Sequence, residues 1–300
     1  MGKGLGAGVR ARKRRALPGQ AFIAKSPGEN HSRRGAMTKP FSMAVRGAVL
    51  AIAFATITAC GSEPTAQTQG DPIAAAIANP ERAAAEVADD PLRKPAMVLD
   101  FTGVEPGMTI FEMEAGHGYY TELLAHIVGP NGSVIMQNPP AFDSFAGAAV
   151  KKRLAGNRLP NVHHMRCDFD ELIADDNSVD IVTWFLGPHE LYFMPAGVDD
   201  LGDETRSYAE IYRVLKPGGY FVALDHAAPA GSPKSAGGDT HRIDPAIVMD
   251  LALAAGFEFV EKSDILRNPN DKYELGVFHP DVRRKTDRFL FKFRKPEEGA

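Results

Sequence analysis

Thr109-Ile110-Phe111-Glu112-Met113-Glu114-Ala115-Gly116-His117-Gly118 runs directly into Tyr119-Tyr120-Thr121-Glu122-Leu123-Leu124. An apolar stretch, a glycine-containing turn and an amphipathic stretch in that order describe a strand, a tight loop and a helix. Such a loop needs residues without side chains, because the turn is sharp and a ligand can approach its backbone closely. Gly116 and Gly118 fit that role. Glu114 is a harder fit, since a glutamate is expected to follow the turn only with a negative φ.

Downstream, short apolar runs alternate with helical patterns, the signature of βαβ units and a mostly parallel sheet. The periodicity predicts strands at 109–113, 133–137, 162–167, 179–185, 220–224, 257–263 and 288–293. It predicts helices at 119–128, 145–154, 204–215 and 244–255, with an Ala-rich helical segment over 74–88 broken by Pro91 and Pro95. A proline–glycine reversal, Leu215-Lys216-Pro217-Gly218-Gly219, joins the helix over 204–215 to the next strand.

A glycine loop after a strand serves more than one chemistry. Dinucleotide enzymes use G-x-G-x-x-G and want an acid at the end of the second strand for the ribose hydroxyls. Here Thr121 stands at the third glycine position and Gln137-Asn138 at the strand end, which disfavours a nicotinamide-dependent oxidoreductase.

The loop, Asp168 directly after the third strand and the Leu-Lys-Pro-Gly-Gly segment together resemble the class I S-adenosyl-L-methionine (SAM) dependent methyltransferases. That resemblance implies a Rossmann-like α/β fold: a seven-stranded, mostly parallel sheet with helices on both faces, its seventh strand antiparallel beside the fifth. It also implies SAM as cofactor. Glu112 would lie near the methionine ammonium, Gly116 and Gly118 beside the methionine moiety, Gln137 at a ribose hydroxyl and Asp168 at the adenine amine. Tyr119 or Tyr120 would offer a π face to the sulfonium. Three further segments, Asp225–Pro229, Thr240–Asp244 and Ser263–Pro269, resemble a group of predicted exported bacterial methyltransferases.

In such a fold the acceptor lies at the carboxyl ends of the fourth and fifth strands, which nominates His189, His226 and His241 as candidate catalytic bases. His189 leads because its loop follows the fourth strand, and Arg242 is a candidate for holding an acidic substrate group. His163, His164, His189, Glu190, His226 and His241 supply ligand atoms, but none sits at close metal-binding spacing, so no metal is expected.

Charge is distributed unevenly. Residues 1–60 hold 11 Lys or Arg and one acid, which leaves 23 basic and 37 acidic residues after Cys60 in a chain of net charge −4. An acidic body without a basic, aromatic-interleaved stripe argues against nucleic acid and leaves small molecules, lipids or proteins open, of which the leading reading takes a small-molecule acceptor. Two cysteines, Cys60 and Cys167, make no disulfide framework.

Residues 47–59 are apolar, follow Lys39 and Arg46, and are too short for a transmembrane helix. They read as a signal-peptide core, and Ile57-Thr58-Ala59-Cys60 resembles a lipobox, after which the lipidated cysteine becomes the mature N-terminus. The organisation expected is a basic extension over 1–36, a lipoprotein signal peptide over 37–60, a tether over 61–79 and the catalytic domain over 80–300. Translation from Met37 would give a signal peptide of ordinary length, while Arg33-Arg34 loosely resembles a twin-arginine signal.

The leading reading is therefore an exported, membrane-anchored methyltransferase facing the periplasm. Because SAM is made in the cytoplasm, the alternative is a non-catalytic ligand-binding lipoprotein that keeps the fold. Cys60→Ser is expected to abolish incorporation of labelled fatty acid and partition into detergent. Equal labelling of the wild type and the variant would remove the lipid anchor.

Overall fold

The computed structural model describes residues 70–198, 200–297 and 299. The basic extension, the signal peptide with Cys60, and residues 61–69 of the tether lie outside the described residues. Within them, four short helices come first: α1 (Pro72–Ile77), α2 (Ala84–Val87), α3 (Asp90–Arg93) and α4 (Pro95–Thr102). Then follow β1 (Thr109–Met113), α5 (Tyr119–Val128), β2 (Ser133–Asn138), α6 (Asp143–Leu154), β3 (Val162–Arg166) and β4 (Val179–Phe185). The chain closes with α7 (Glu204–Val214), β5 (Leu215–His226), α8 (Ala236–Thr240), α9 (Pro245–Ala254), β6 (Glu258–Ser263) and β7 (Arg288–Arg294).

The strands form one sheet in the order β3-β2-β1-β4-β5-β7-β6. β1 pairs in parallel with β2 and β4, while β7 runs antiparallel between β5 and β6. The order reverses between β1 and β4, so the loops after these two strands diverge and leave a crevice at their carboxyl ends.

Both faces of the sheet are covered, as its near-continuous apolar strands require. Alternation along β1 sends Phe111 and Met113 into a cluster with Tyr208 and Ile211 of α7 and Val248 of α9. Ile110 faces the other way, toward Val98 and Leu99 of α4 and Leu123 and Leu124 of α5. Local signals agree with these placements. Asp203 caps α7 by accepting from the Arg206 amide, and Asp244 caps α9 from just before Pro245.

Three sequence expectations change. The Ala-rich segment is two short helices, since the chain breaks near Pro80, whose ring cannot continue a helix. Ala76 of α1 is buried in the cluster with α5, so the folded unit already includes residues expected in the tether. The Leu-Lys-Pro-Gly-Gly segment lies inside β5 as an irregularity: Leu215 pairs with Val179 and Tyr220 with Ile181. Gly218 takes φ +77 there, a value that favours glycine. The Gly218 amide donates to the Lys295 carbonyl across the sheet.

Arg242 is 1 % exposed and faces no cavity. Its guanidinium donates to both carboxylate oxygens of Asp271 and to the carbonyls of Ala227 and Leu275. It therefore ties the chain after β5 to the 270s segment and is not available to an acidic substrate. Removing one member of a buried pair strands the other, at a cost of about 3–5 kcal/mol. Arg242→Ala should lose stability of that order in chemical denaturation; a loss below about 1 kcal/mol, the worth of an exposed pair, would refute the tie.

Candidate active site

A cavity of about 550 Å³ opens at the crevice between the loops after β1 and β4. It is large enough for a cofactor and a small acceptor. Its floor is the end of β1 and the glycine loop, Glu112 to Gly116, together with His117, Tyr119 and Tyr120.

The loop is braced from β2. Gln137 and Asn138 end that strand, fully buried, and their side chains reach the backbone of the loop. The Glu114 amide donates to Gln137 Oε1 at 2.8 Å and the Gly116 amide to Asn138 Oδ1 at 2.8 Å. Asn138 Nδ2 donates back to the Gly116 carbonyl, and Gln137 Nε2 donates to the Cys167 carbonyl at 2.6 Å. The Ala115 and Gly118 amides are used as well, by the carbonyls of Gln137 and Ala115. Gln137 is thus a brace for the loop and not a wall of the cavity, which corrects the ribose role expected for it. The glycines act through shape. Gly116 has φ +57, and a Cβ built on it would meet nothing within 4 Å, so it keeps open a part of the cavity. Gly118 has φ +87, and a Cβ there would lie 2.7 Å from the Arg153 side chain of α6.

Glu114 adopts φ +50, contrary to the negative value expected. Its Oε2 accepts from Trp184 Nε1 at 3.1 Å, anchoring the side chain to the end of β4. The partner loop accommodates this with Gly187, where any Cβ would collide with that oxygen and with the indole. Burial, reinforced by the nearby Glu190 charge, holds the Glu114 carboxyl well above the usual carboxylate range.

Glu112 is buried, and Oε2 accepts from the Thr121 hydroxyl at 2.5 Å. Burial pushes its carboxyl up to about 8, although Thr121 and Arg153 favour the charged form. Thr121, read in the sequence only as a missing glycine, is the donor that holds this acid in place. Arg93 lines the same cavity and stacks on Tyr119, its guanidinium 4.4 Å from the ring centroid. Its Nε makes no hydrogen bond, with Asp89 Oδ2 at 3.8 Å. Tyr119 thereby already uses its π face, and its hydroxyl donates to Asp90.

The other side of the cavity comes from the loop after β4 and from the segment after α8, with Leu186, Glu190, Phe193, His241 and Phe278 on its wall. Of the three candidate histidines only His241 lies on that wall. It has φ +53, and its ring sits 4.7 Å from Phe193 and 4.9 Å from Phe278, centroid to centroid. His189 lies behind it, 3 % exposed. Asp225 at the end of β5 holds His189 twice, at the ring Nδ1 (2.8 Å) and at the backbone amide (2.8 Å). Burial opposes charge on this imidazole, but the Asp225 and Glu190 carboxylates outweigh it and push its pKa up to about 10. An imidazole held protonated in this way is not a base of ordinary pKa, which corrects the role expected for His189. Glu190 resists burial in the same exchange, and the two histidines draw it down to about 2.

His226 is drawn elsewhere, its Nδ1 2.6 Å from the Thr286 hydroxyl. Burial and the neighbouring His189 charge push its pKa well below the usual imidazole value. It is not on the cavity wall. Asp168 follows β3 and is also absent from the wall, which on the side of β2 and α6 is formed by Phe142 and Phe145. Phe145 is 55 % exposed, an apolar ring facing solvent at the cavity edge. Sequence reasoning missed these aromatics because helical periodicity alone does not separate a cavity wall from a core face.

Residues 91–236 match the ubiE/COQ5 methyltransferase family model. The ubiquinone/menaquinone biosynthesis C-methyltransferase UbiE of Vibrio cholerae is 30 % identical over 143 residues, 48 % of this chain and 50 % of that protein. The enzyme of the same name from Psychromonas ingrahamii is 27 % identical over 137 residues, 46 % of this chain and 50 % of its own. The chain thus spans about half the length of the curated relatives it matches. Among solved structures, a SAM dependent methyltransferase from Aquifex aeolicus superposes with a TM-score of 0.50 at 19 % identity, covering 70 % of this chain and 96 % of that one. Phosphoethanolamine N-methyltransferase 2 of Haemonchus contortus, solved with SAM, gives 0.50 at 14 % identity, covering 71 % and 57 %. At these identities the structural likeness speaks for the fold. The chain thus shares its fold with these solved SAM-dependent methyltransferases, and its ubiE/COQ5 likeness lies in residues 91–236.

Proposed function

We propose that the chain transfers a methyl group from SAM to a small, largely apolar acceptor carrying a polar ring substituent, and that it does so exported and anchored through a lipid on Cys60. The observation that carries the reading is that Glu112 and Arg93 both line the one cavity that also holds the open glycine Gly116. A buried carboxyl and a guanidinium lining the same cavity complement the ammonium and carboxylate of an α-amino acid head. SAM, when bound, supplies an electrophilic methyl group on a sulfonium.

The protein's own work is positioning and exclusion of water. Glu112 and Arg93 hold the amino-acid head, and Phe142 and Phe145 offer apolar faces at the opposite edge. Leu186, Phe193 and Phe278 give the acceptor a dry slot, with Glu190 and His241 as its polar end. Such a slot suits a flat ring bearing a hydroxyl, the kind of acceptor that the names of the UbiE relatives imply for those enzymes. A membrane anchor would place it where apolar acceptors partition. Calorimetry with SAM and S-adenosylhomocysteine separates this reading from the alternative: a chain that binds neither is a binding lipoprotein of the same fold.

The state of Glu112 gives a pH signature. Its carboxyl is protonated below about 8, whereas the cofactor ammonium selects the carboxylate, so binding below that pH releases a proton. SAM affinity should therefore rise with pH by up to about tenfold per unit between pH 6 and 7.5. It levels off near pH 8, where an α-amino group itself deprotonates. Glu112→Gln should bind more weakly and without this slope, and Gly116→Val, which fills the open space, at least about tenfold more weakly. An identical slope in Glu112→Gln would take the ammonium away from Glu112.

A further inference from the structure

Three ligand-type atoms converge at the polar end of the slot. His189 Nε2 lies 3.2 Å from His241 Nδ1 and 3.3 Å from Glu190 Oε1, and His241 Nδ1 lies 3.4 Å from the same oxygen. These separations are wider than the ~2.7–2.9 Å of charge-assisted hydrogen bonds. They match something else. A tetrahedral ion bonded at about 2.0–2.1 Å keeps its ligands about 3.3–3.4 Å apart, whereas right-angled octahedral ligands would sit near 3.0 Å.

A second observation points the same way. Glu190 is 8 % exposed, and its Oε2 has no hydrogen-bond partner, although a buried carboxylate oxygen ordinarily has one. A third concerns orientation. Asp225 engages Nδ1 of His189, which leaves Nε2 as the atom presented to the cluster. A histidine held through one nitrogen by a carboxylate, with the other turned to a shared centre, is the arrangement in which metal-binding histidines are supported.

We infer that His189, Glu190 and His241 form a site for a divalent metal of the zinc type, with three protein ligands and a fourth position open to the cavity, the ion displacing to solvent the proton that His189 Nε2 carries in its absence. Imidazole nitrogens and a carboxylate are the donor set such an ion takes. Glu190 and His241 lie on the cavity wall, so the open position faces the slot assigned to the acceptor. A hydroxyl bound there would lose its proton to solvent far more readily than in water. The role at the acceptor hydroxyl rests on the proposed methyl transfer, whereas the ligand set does not, and the test reads the metal alone.

The test uses the untagged full chain, stripped with a chelator, exchanged into chelator-free buffer and titrated with Zn²⁺ or Co²⁺. One equivalent per chain should be retained through gel filtration, and the cobalt form should show the intense visible bands of a four-coordinate ion. Glu190→Gln and His241→Ala should each weaken binding at least about 100-fold, and Asp225→Asn, which disturbs only the support of His189, about 10- to 100-fold. His163→Ala, on the far strand β3, should bind as the wild type does. Folding of each variant is read by circular dichroism, and S-adenosylhomocysteine affinity on the same samples tells loss of the metal site from loss of the cofactor site. A folded wild type that takes up neither ion would overturn the proposal, as would uptake undiminished in the Glu190→Gln/His241→Ala double variant. Weak, six-coordinate cobalt bands would overturn the three-ligand tetrahedral assignment.

Discussion

Asp225 has no exposed surface and stands at the end of β5, where it must be compensated locally or not remain charged. The compensation comes from across the crevice: His189 gives it both a ring nitrogen and a backbone amide, and the His226 amide adds a third donor. This single pairing pins the loop after β4 to the end of β5. With that loop come Glu190 and the neighbours of His241, so this wall of the cavity is assembled around one buried carboxylate. Its cost of burial is met by donors whose positions then cannot vary.

The opposite wall follows a similar logic with neutral groups. Two side-chain amides at the end of β2, Gln137 and Asn138, hold two backbone donors of the glycine loop, those of Glu114 and Gly116. A loop braced in this way holds its shape before any ligand arrives. Glu114 fits the same scheme. Its left-handed backbone is strained for a glutamate, and its bond to Trp184, together with the space left by Gly187, offsets that strain. The pair Glu114 and Gly187 therefore acts as one unit spanning the switch point of the sheet.

Electrostatically the cavity is asymmetric. Glu112 and Glu114 are pushed toward neutrality by burial, while Glu190 keeps its charge because two imidazoles surround it. A cationic ligand entering on the Glu112 side finds acids ready to ionise. On the other side, charge is already balanced within the protein, and rings of Phe193 and Phe278 border it. That division separates a more polar end of the cavity from an end bordered by aromatic rings around its one polar cluster.

Local pattern was enough to place the strands and main helices, while the order of the strands came only from the family resemblance. Strand periods over 109–113 and 179–185 and the helix over 119–128 coincide with the observed elements, because alternation and glycine placement act over a few residues. The acid Glu112 and the open Gly116 were legible for the same reason. Nothing local could show that Gln137 turns inward to brace the loop, that Asp168 lies off the cavity wall, or that Arg242 is sealed against Asp271. Nor could spacing reveal that His241, 52 residues from His189, meets it and Glu190. Those outcomes are decided by which groups the sheet order brings within bonding distance and by the tendency of buried polar atoms to find partners, and both are properties of the assembled tertiary structure.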